Sequence, residues 1–517
     1  MLAAALLAAV QGCPEPDHTP VKVPDSRQAV FHAPIDHGTD VDILFVVGTP
    51  NCMGEEQAQL ARSFPALLDA LRSPCFKAGI PNLHVGIVST NLGAGSYFEH
   101  ACRPGGDGGR LQHAPRVHGC RPPSEPYIAH LEGVTNVEGS TRTSDAVKEL
   151  RQAFECIAQL GTSGCRYIHA LESARRALDP ALGVNPGFLR KGALRAVVFV
   201  TNMDDCSAAN TKMFDPSPAA PDSLLGPPCL FRCFDLGYEC ECGGGPCDRY
   251  SAGPRTGCRP AGRWLHPVES YVSFFDSLGP PGRVLLYAVA APDLDAVETM
   301  SSGGCMHVKR ACTTSIGAAD PTLRIKALMD RFGERGFYNT GLDKAEKPTE
   351  VSICSADYQP ALRFVGRSIV AALTSRCIPG PLLIPAEGGS GAPSVACHAG
   401  DRPGPPDSPA CPRSCLDQAQ CTVERVSPTG PGVPIARCPA HLFDDPAARD
   451  CGRSCPCWRI VASPDCNPQV VGSPHAVEIL DRSPAPGALV RIECLLSTHP
   501  WGNSQIASLP MCEPRDP

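Results

Sequence analysis

Residues 41–376 are expected to fold as an α/β unit, a parallel sheet with helices on both faces. Three observations predict this. Several short runs are continuously apolar rather than alternating, as strands buried on both faces are. Between them lie stretches whose apolar residues recur at helical spacing. The two patterns alternate along the chain, which is how crossover helices join parallel strands.

The first apolar run, 41–47 (VDILFVV), has strand length. After a turn at 48–54, Leu60, Phe64, Leu67, Leu68 and Leu71 mark one helix face, which Pro65 is expected to kink or divide. Residues 83–90 (LHVGIVST) read as a second strand. Residues 91–143 are rich in Gly and Pro, and an excursion of that length needs a disulfide through Cys102 or Cys120. Val147, Leu150, Phe154 and Ile157 restore helical spacing, and Leu171, Ala174 and Leu178 mark another short helix. Residues 195–201 (RAVVFVT) form a strongly apolar strand. A second insertion, 206–262, carries seven Cys. A helix at 264–278, a strand at 283–291 (RVLLYAVAA) and helices around Ile325–Phe332 and Leu362–Leu373 complete the unit. Past Cys377 the composition shifts. Residues 377–409 read as a Pro/Gly linker and 410–517 as a small Cys-rich, β-rich domain, with apolar runs at 476–480 and 488–492.

The chain has 517 residues, 55 Pro, 49 Gly and 29 Cys, with a net charge of −7. No basic excess points to nucleic acid. So many thiols would be a liability in a reducing cytosol, so an exported protein is expected. Residues 1–12 read as a signal segment, an apolar stretch without a basic n-region. Val10 and Gly12 precede Cys13 as small residues precede the acylated Cys of a lipobox. Cys13 is therefore the expected lipidation site and 13–40 the linker behind the anchor. Setting Cys13 aside leaves 28 Cys, an even number for pairing. The membrane is expected to be reached through this anchor alone, at the outer membrane or cell surface; a freely secreted protein is the alternative.

The strand at 41–47, the small-residue loop and Met53-Gly54-Glu55-Glu56-Gln57 opening a helix resemble the start of a von Willebrand factor A (VWA) domain. The segments GFLR (187–190), VVFVTNMDDCS (197–207) and SICSADYQPAL (352–362) are similar to a secreted, cysteine-rich lipoprotein branch of that family, of myxobacterial type. The resemblance spans about 40–376 and implies a Rossmann-like three-layer sandwich. In the family the first turn is Asp-x-Ser-x-Ser, the core of a metal-ion-dependent adhesion site. A hard divalent cation favours such oxygen donors. Here Gly48 stands at the Asp position, Pro50 and Cys52 at the Ser positions, and Asn202 where a second Asp is usual. Thr162 and Ser163 are candidates for the family's Thr. The resemblance therefore implies a degenerate site with no metal and no cofactor, and Cys52 reads as a disulfide partner. Thr49, Asn51, Asp204 and Asp205 form the candidate binding edge.

The cluster Cys229, Cys233, Cys240, Cys242, Cys247 and Cys258 lacks the paired C-x2-C knuckles of structural zinc and reads as disulfides. H-E-x-x-H, G-x-S-x-G and the phosphate-binding G-x-x-x-x-G-K-[ST] do not occur. The expected function is non-enzymatic, metal-independent binding of a protein or matrix ligand at the cell surface, through the carboxyl edge of the sheet and the two insertions. An envelope scaffold without an external ligand and an enzyme with an unrecognised site are the alternatives. A binder should show an apolar patch near 48–54 and 202–206. An enzyme should show a pocket holding a His or carboxylate of shifted pKa. Partner identity, disulfide connectivity and oligomeric state are not written in the sequence.

Overall fold

The computed structural model describes residues 26–34, 40–50, 52–72, 79–98, 101–217, 223–261, 263–279, 283–339, 351–373, 383–384, 395–396, 421–426, 432–439, 455–462, 475–480 and 489–497. The signal segment 1–12, Cys13 and Asn51 lie outside these residues. The chain divides into two units, one of residues 36–375 and one joining 1–35 to 376–517.

In the second unit, residues 26–34 are not the linker that their mixed composition suggests. They form β1 (Ser26–Pro34), antiparallel to Leu489–Ser497 along its whole length. Gln28 and Val30 are exposed while Ala29 between them packs on the core, so the apolar signal of this strand is slight. Its order comes from a pairing more than 450 residues away in sequence, which no local pattern announces. Cys421–Arg425 pairs with the other edge of Leu489–Ser497, and the facing Cys421 and Cys494 are bonded as a disulfide. A second small sheet carries Cys457–Ala462 and His475–Leu480, with Trp458, Val477 and Ile479 in the core.

The first unit is built on a seven-stranded sheet. Five strands run parallel: β2 (Asp40–Val47), β3 (Asn82–Ser89), β6 (Leu194–Val200), β10 (Val284–Val289) and β15 (Gly336–Tyr338). β4 (Ile128–Leu131) and β5 (Val134–Thr135) extend it antiparallel beyond β3, so part of the 91–143 excursion is sheet rather than loop. The order is β15-β10-β6-β2-β3-β4-β5. The chain leaves β2 for β3 on one side and reaches β6 on the other. The crevice between the ends of β2 and β6 is therefore a topological switch point.

β2 shows why the apolar runs are continuous. Val41, Ile43, Phe45 and Val47 enter one core with α1 (Gly54–Ala70), α2 (Ala146–Ala158) and α7 (Gln359–Leu373). Leu44 and Val46 enter the other with α3 (Ala170–Leu178), α5 (Val268–Ser277) and α6 (Leu323–Phe332). On the first face Phe64 and Phe154 stack with ring centroids 3.8 Å apart, and Phe45 meets Phe154 edge-on at 5.0 Å. On the second, Phe188 is fully buried, and Arg190 closes the amino edge by pairing with Asp42 at 2.8 Å. Pro65 does not divide α1, which runs unbroken for 17 residues. Burial of Phe64, Leu67 and Leu68 around it outweighs the one backbone bond that Pro removes.

The two insertions are stapled. Cys102–Cys165 and Cys120–Cys156 fasten the first. The second holds α4 (Phe231–Asp235), β7 (Tyr238–Cys242), β8 (Gly245–Pro246) and β9 (Gly253–Pro260). Its sheet continues through β11 (Ala296–Ser302) and β12 (Cys305–Val308), beyond the expected boundary at 262. Cys206–Cys233, Cys229–Cys305, Cys240–Cys258 and Cys242–Cys247 lie within or around it. A short hairpin follows, β13 (Cys312–Thr313) and β14 (Ala318–Ala319), with Cys312 bonded to Cys354. The disulfides mark an exported protein. Among the described residues no helix is long and apolar enough to cross a membrane.

Candidate functional site at the carboxyl edge of the sheet

Beyond Val47 the chain stays in the sheet for one more bond, Gly48 N–H donating to the Val200 carbonyl at 2.9 Å. The turn then closes with Met53 N–H on the Pro50 carbonyl, and α1 begins at Gly54. Gln57 locks the turn to a neighbouring loop. Its Nε2 donates to the carbonyls of Gly48 (2.8 Å) and Gly161 (2.9 Å), and its Oε1 accepts from Gly161 N–H (2.9 Å). Gly164 N–H donates to the Thr49 carbonyl at 2.9 Å. A Cβ at Gly164 would stand 1.9 Å from Thr49 Oγ1, so only glycine lets the loop lie this close. Thr162 lies beside this turn, its Cγ2 3.4 Å from where a Cβ on Gly54 would stand.

After β6, Asn202 is fully buried, and its Nδ2 donates to Cys52 Sγ at 3.0 Å and to the Ala318 carbonyl at 3.3 Å. The four positions Gly48, Pro50, Cys52 and Asn202 are thus gathered at one place. Their donor chemistry does not fit a hard cation. Gly48 and Pro50 offer no side-chain donor, and the thiol faces an amide N–H. Cys52 is exposed and free, not the disulfide partner its position suggested. The disulfides that would compete for it use other cysteines, Cys102 with Cys165 and Cys206 with Cys233 among them.

The expected binding edge is redrawn by burial. Thr49 is 4% exposed and faces the 161–164 loop. Asp205 is 1% exposed and belongs to the framework. It accepts from Leu171 N–H (2.9 Å) and Ser207 Oγ (2.6 Å), and it pairs with the Arg324 Nε at 3.0 Å. Asp204 is only partly covered and lines a cavity. Its oxygens accept from Tyr238 OH and from Arg324 N–H (3.0 Å) in the first turn of α6. Ser163 is exposed, next to the Gly164 that bonds to Thr49.

The cavity, of about 620 Å³, opens over the switch point. One wall is the sheet edge, with Cys52, Ile168, Met203 and Asp204. The opposite wall is the second insertion, with Phe231 and Phe234 of α4 and Tyr238 of β7. Met300 of β11 and His307 and Val308 of β12 close it further. The insertion wall is braced from behind. Buried Arg232 donates to the carbonyls of Met213, Asp215, Gly226 and Pro227, and the Arg255 guanidinium lies 5.7 Å from the Phe231 ring. Sequence reasoning placed the sheet edge and the insertion but missed Arg166, Tyr238, Met300 and His307. Gly303-Gly304, both at positive φ, are a hairpin signal that would have found the β11–β12 wall.

Burial pushes the Asp204 carboxyl up to about 7, against the pull of Tyr238 OH and the Arg324 guanidinium. Burial likewise pushes Glu56, in the first turn of α1, up to about 7. Both groups bind a proton more tightly folded than unfolded. Their contribution to stability is therefore full below about pH 4 and is lost as pH rises through about 7. Glu149 and Glu172 are held low by their hydrogen bonds, the opposite direction to Asp204 and Glu56. Burial holds His84, His130 and His169 low, and these act in the opposite sense over the same window, so the two acids are read by difference. Between about pH 5 and 8 each should take away about 2 kcal/mol in urea unfolding relative to a variant that lacks it. Asp204→Asn with Glu56→Gln should remove that downward component and leave a profile that rises more, or falls less, across the window; an unaltered profile would refute the assignment.

No family model matches the chain, and no curated protein matches it.

Proposed function

We propose that this is an exported binding protein built on a VWA-like domain whose cation site has been lost. It engages a protein or matrix ligand through the cavity at the carboxyl edge, without metal and without catalysis. The anchor in this reading is acylated Cys13, holding the protein at the cell envelope. The strand order and the helices on both faces of the sheet support the VWA-like reading. So does the meeting of Gly48–Met53, the 161–164 loop and Asn202 at one edge.

One observation carries the functional reading. A cavity of about 620 Å³ sits at the switch point, largely lined by apolar side chains and walled by a stapled insertion. That is the volume and place of a ligand site in an open α/β sheet. The test is capture of the organism's surface and extracellular proteins on the immobilised full chain, in EDTA and in Mg²⁺. A ligand should be held equally in both and released by Met300→Asp, at a side chain 47% exposed on the cavity wall. Capture abolished by EDTA would overturn the reading. Mass spectrometry of the mature N-terminus should find acyl chains on Cys13, and a free amine there would remove the anchor.

A second reading is favoured by Asp204, a carboxyl pushed up to about 7 in a cavity that also holds the Cys52 thiol. Those are the marks of an acid and a nucleophile. Against it, the Asp204 oxygens already serve Tyr238 and the start of α6.

A further inference from the structure

The cavity has a charge bias that the apolar walls do not reveal. Four basic side chains line it: Arg166, His307, Lys309 and Arg310. Lys309 is paired with Glu298 at 2.7 Å and Arg310 with Asp320 at 2.9 Å. His307 Nε2 is 3.1 Å from the Ser302 carbonyl. Arg166 is exposed, and among the described residues the structure gives it no hydrogen bond or ion pair. The carboxylates on the same walls are already held. Asp205 is spent on Arg324, Asp320 on Arg310, and Asp204 on Tyr238 and α6. Among the described residues that line the cavity, Arg166 is thus the permanently charged side chain with no opposite charge beside it, and Asp204, pushed up to about 7, is largely protonated below neutral pH, in a protein whose net charge is −7.

The backbone beneath that guanidinium is fixed. Cys165 is fully buried and bonded to Cys102, and Tyr167 is 3% exposed with its ring 4.3 Å from that of Phe214. Arg166 therefore stands on a rigid base and lines the same cavity as Phe231, Phe234, Met300 and Val308. An aromatic group would bury against that wall, and a carboxylate next to it would meet the one cation without a partner. Planar, bidentate recognition of carboxylate is what a guanidinium offers.

We infer that the cavity takes a peptide segment of the partner protein in which an aromatic side chain stands next to an acidic one, the acid pairing with Arg166. This rests on the binding reading above and names the chemistry of its ligand. Cys52, on the wall of the same cavity, supplies the readout, because an occupant shields its thiol.

The experiment follows alkylation of Cys52 by iodoacetamide in the full chain, located by mass spectrometry. Three capped tetrapeptides are the probes: phenylalanine next to aspartate, phenylalanine next to asparagine, and alanine next to aspartate. The phenylalanine–aspartate peptide should slow alkylation at the lowest concentration. The other two should need at least about fivefold more, the scale expected of one partly exposed ion pair. Arg166→Gln should erase the difference between aspartate and asparagine, and Arg166→Lys should restore part of it. Arg166 is exposed, so these variants should keep the parent's melting temperature. Equal protection by aspartate and asparagine peptides would overturn the inference, as would protection by none of them at millimolar concentration. Metal-independent capture of a protein partner, measured separately, would then leave the binding reading standing and this ligand chemistry rejected. Loss of capture as well would reject both.

Discussion

Arg324→Met is expected to destabilise the 36–375 unit by about 3–5 kcal/mol, because it leaves one charge of a buried pair without its partner. Arg324 and Asp205 side chains are both fully buried, with Nε and Oδ2 3.0 Å apart. Asp205 also accepts from Leu171 N–H at the start of α3, while Arg324 stands in the first turn of α6 and donates to the His266 carbonyl at 2.7 Å. The pair therefore fastens two helices of one layer to the end of β6. Asp205→Leu should be similarly costly. The double variant should lose less than the sum of the two, since it removes both charges together. Urea unfolding of the four proteins gives the cycle. A loss below about 1 kcal/mol for either single variant, a typical surface effect, would show that the pair is not buried as described.

This pair explains why the two adjacent aspartates misled sequence reading. In the string Asn202-Met203-Asp204-Asp205-Cys206, two carboxylates after a buried strand look like an exposed edge. Exposure is decided by what packs on them, and Arg324 lies 119 residues away in sequence. The sheet was legible for the opposite reason. A strand covered on both faces must be apolar at every position, and VDILFVV and RAVVFVT carry that record locally. The crowding of oxygen-poor residues at Gly48, Pro50 and Cys52 was equally local. The cavity was not, since its far wall comes from residues 230–238 and 300–310. One signal for it did exist. Seven cysteines in 206–262 cannot pair among themselves, so one had to leave the segment, and Cys229 does, for Cys305. β1 left almost no trace, because a half-polar edge strand is specified by its partner.

Removing the Cys206–Cys233 disulfide, by Cys206→Ala with Cys233→Ala, should have the second large effect. The bond closes a loop of 27 residues, worth about 3–4 kcal/mol if its role is to restrict the unfolded chain. Its position matters more than its length. Cys206 follows the end of β6, and Cys233 lies in α4, so the bond ties one cavity wall to the other. The remaining disulfides of the insertion join it to itself or to β12. Without the tie, α4 and β7 are held to the edge by Tyr238 on Asp204 and by the packing of Leu230 and Leu236 on the cluster that includes Cys165 and Tyr167. Amide exchange across 229–242 should accelerate at least tenfold, the signature of local opening at about 1.4 kcal/mol less cost. Exchange in β2 and β6 should change far less, because both strands are buried between helix layers that the bond does not touch. Ligand capture should fall with the wall, while Cys52 alkylation becomes insensitive to any occupant. Unchanged exchange in 229–242 would mean that packing alone holds the insertion in place, and the staple would then have no part in shaping the site.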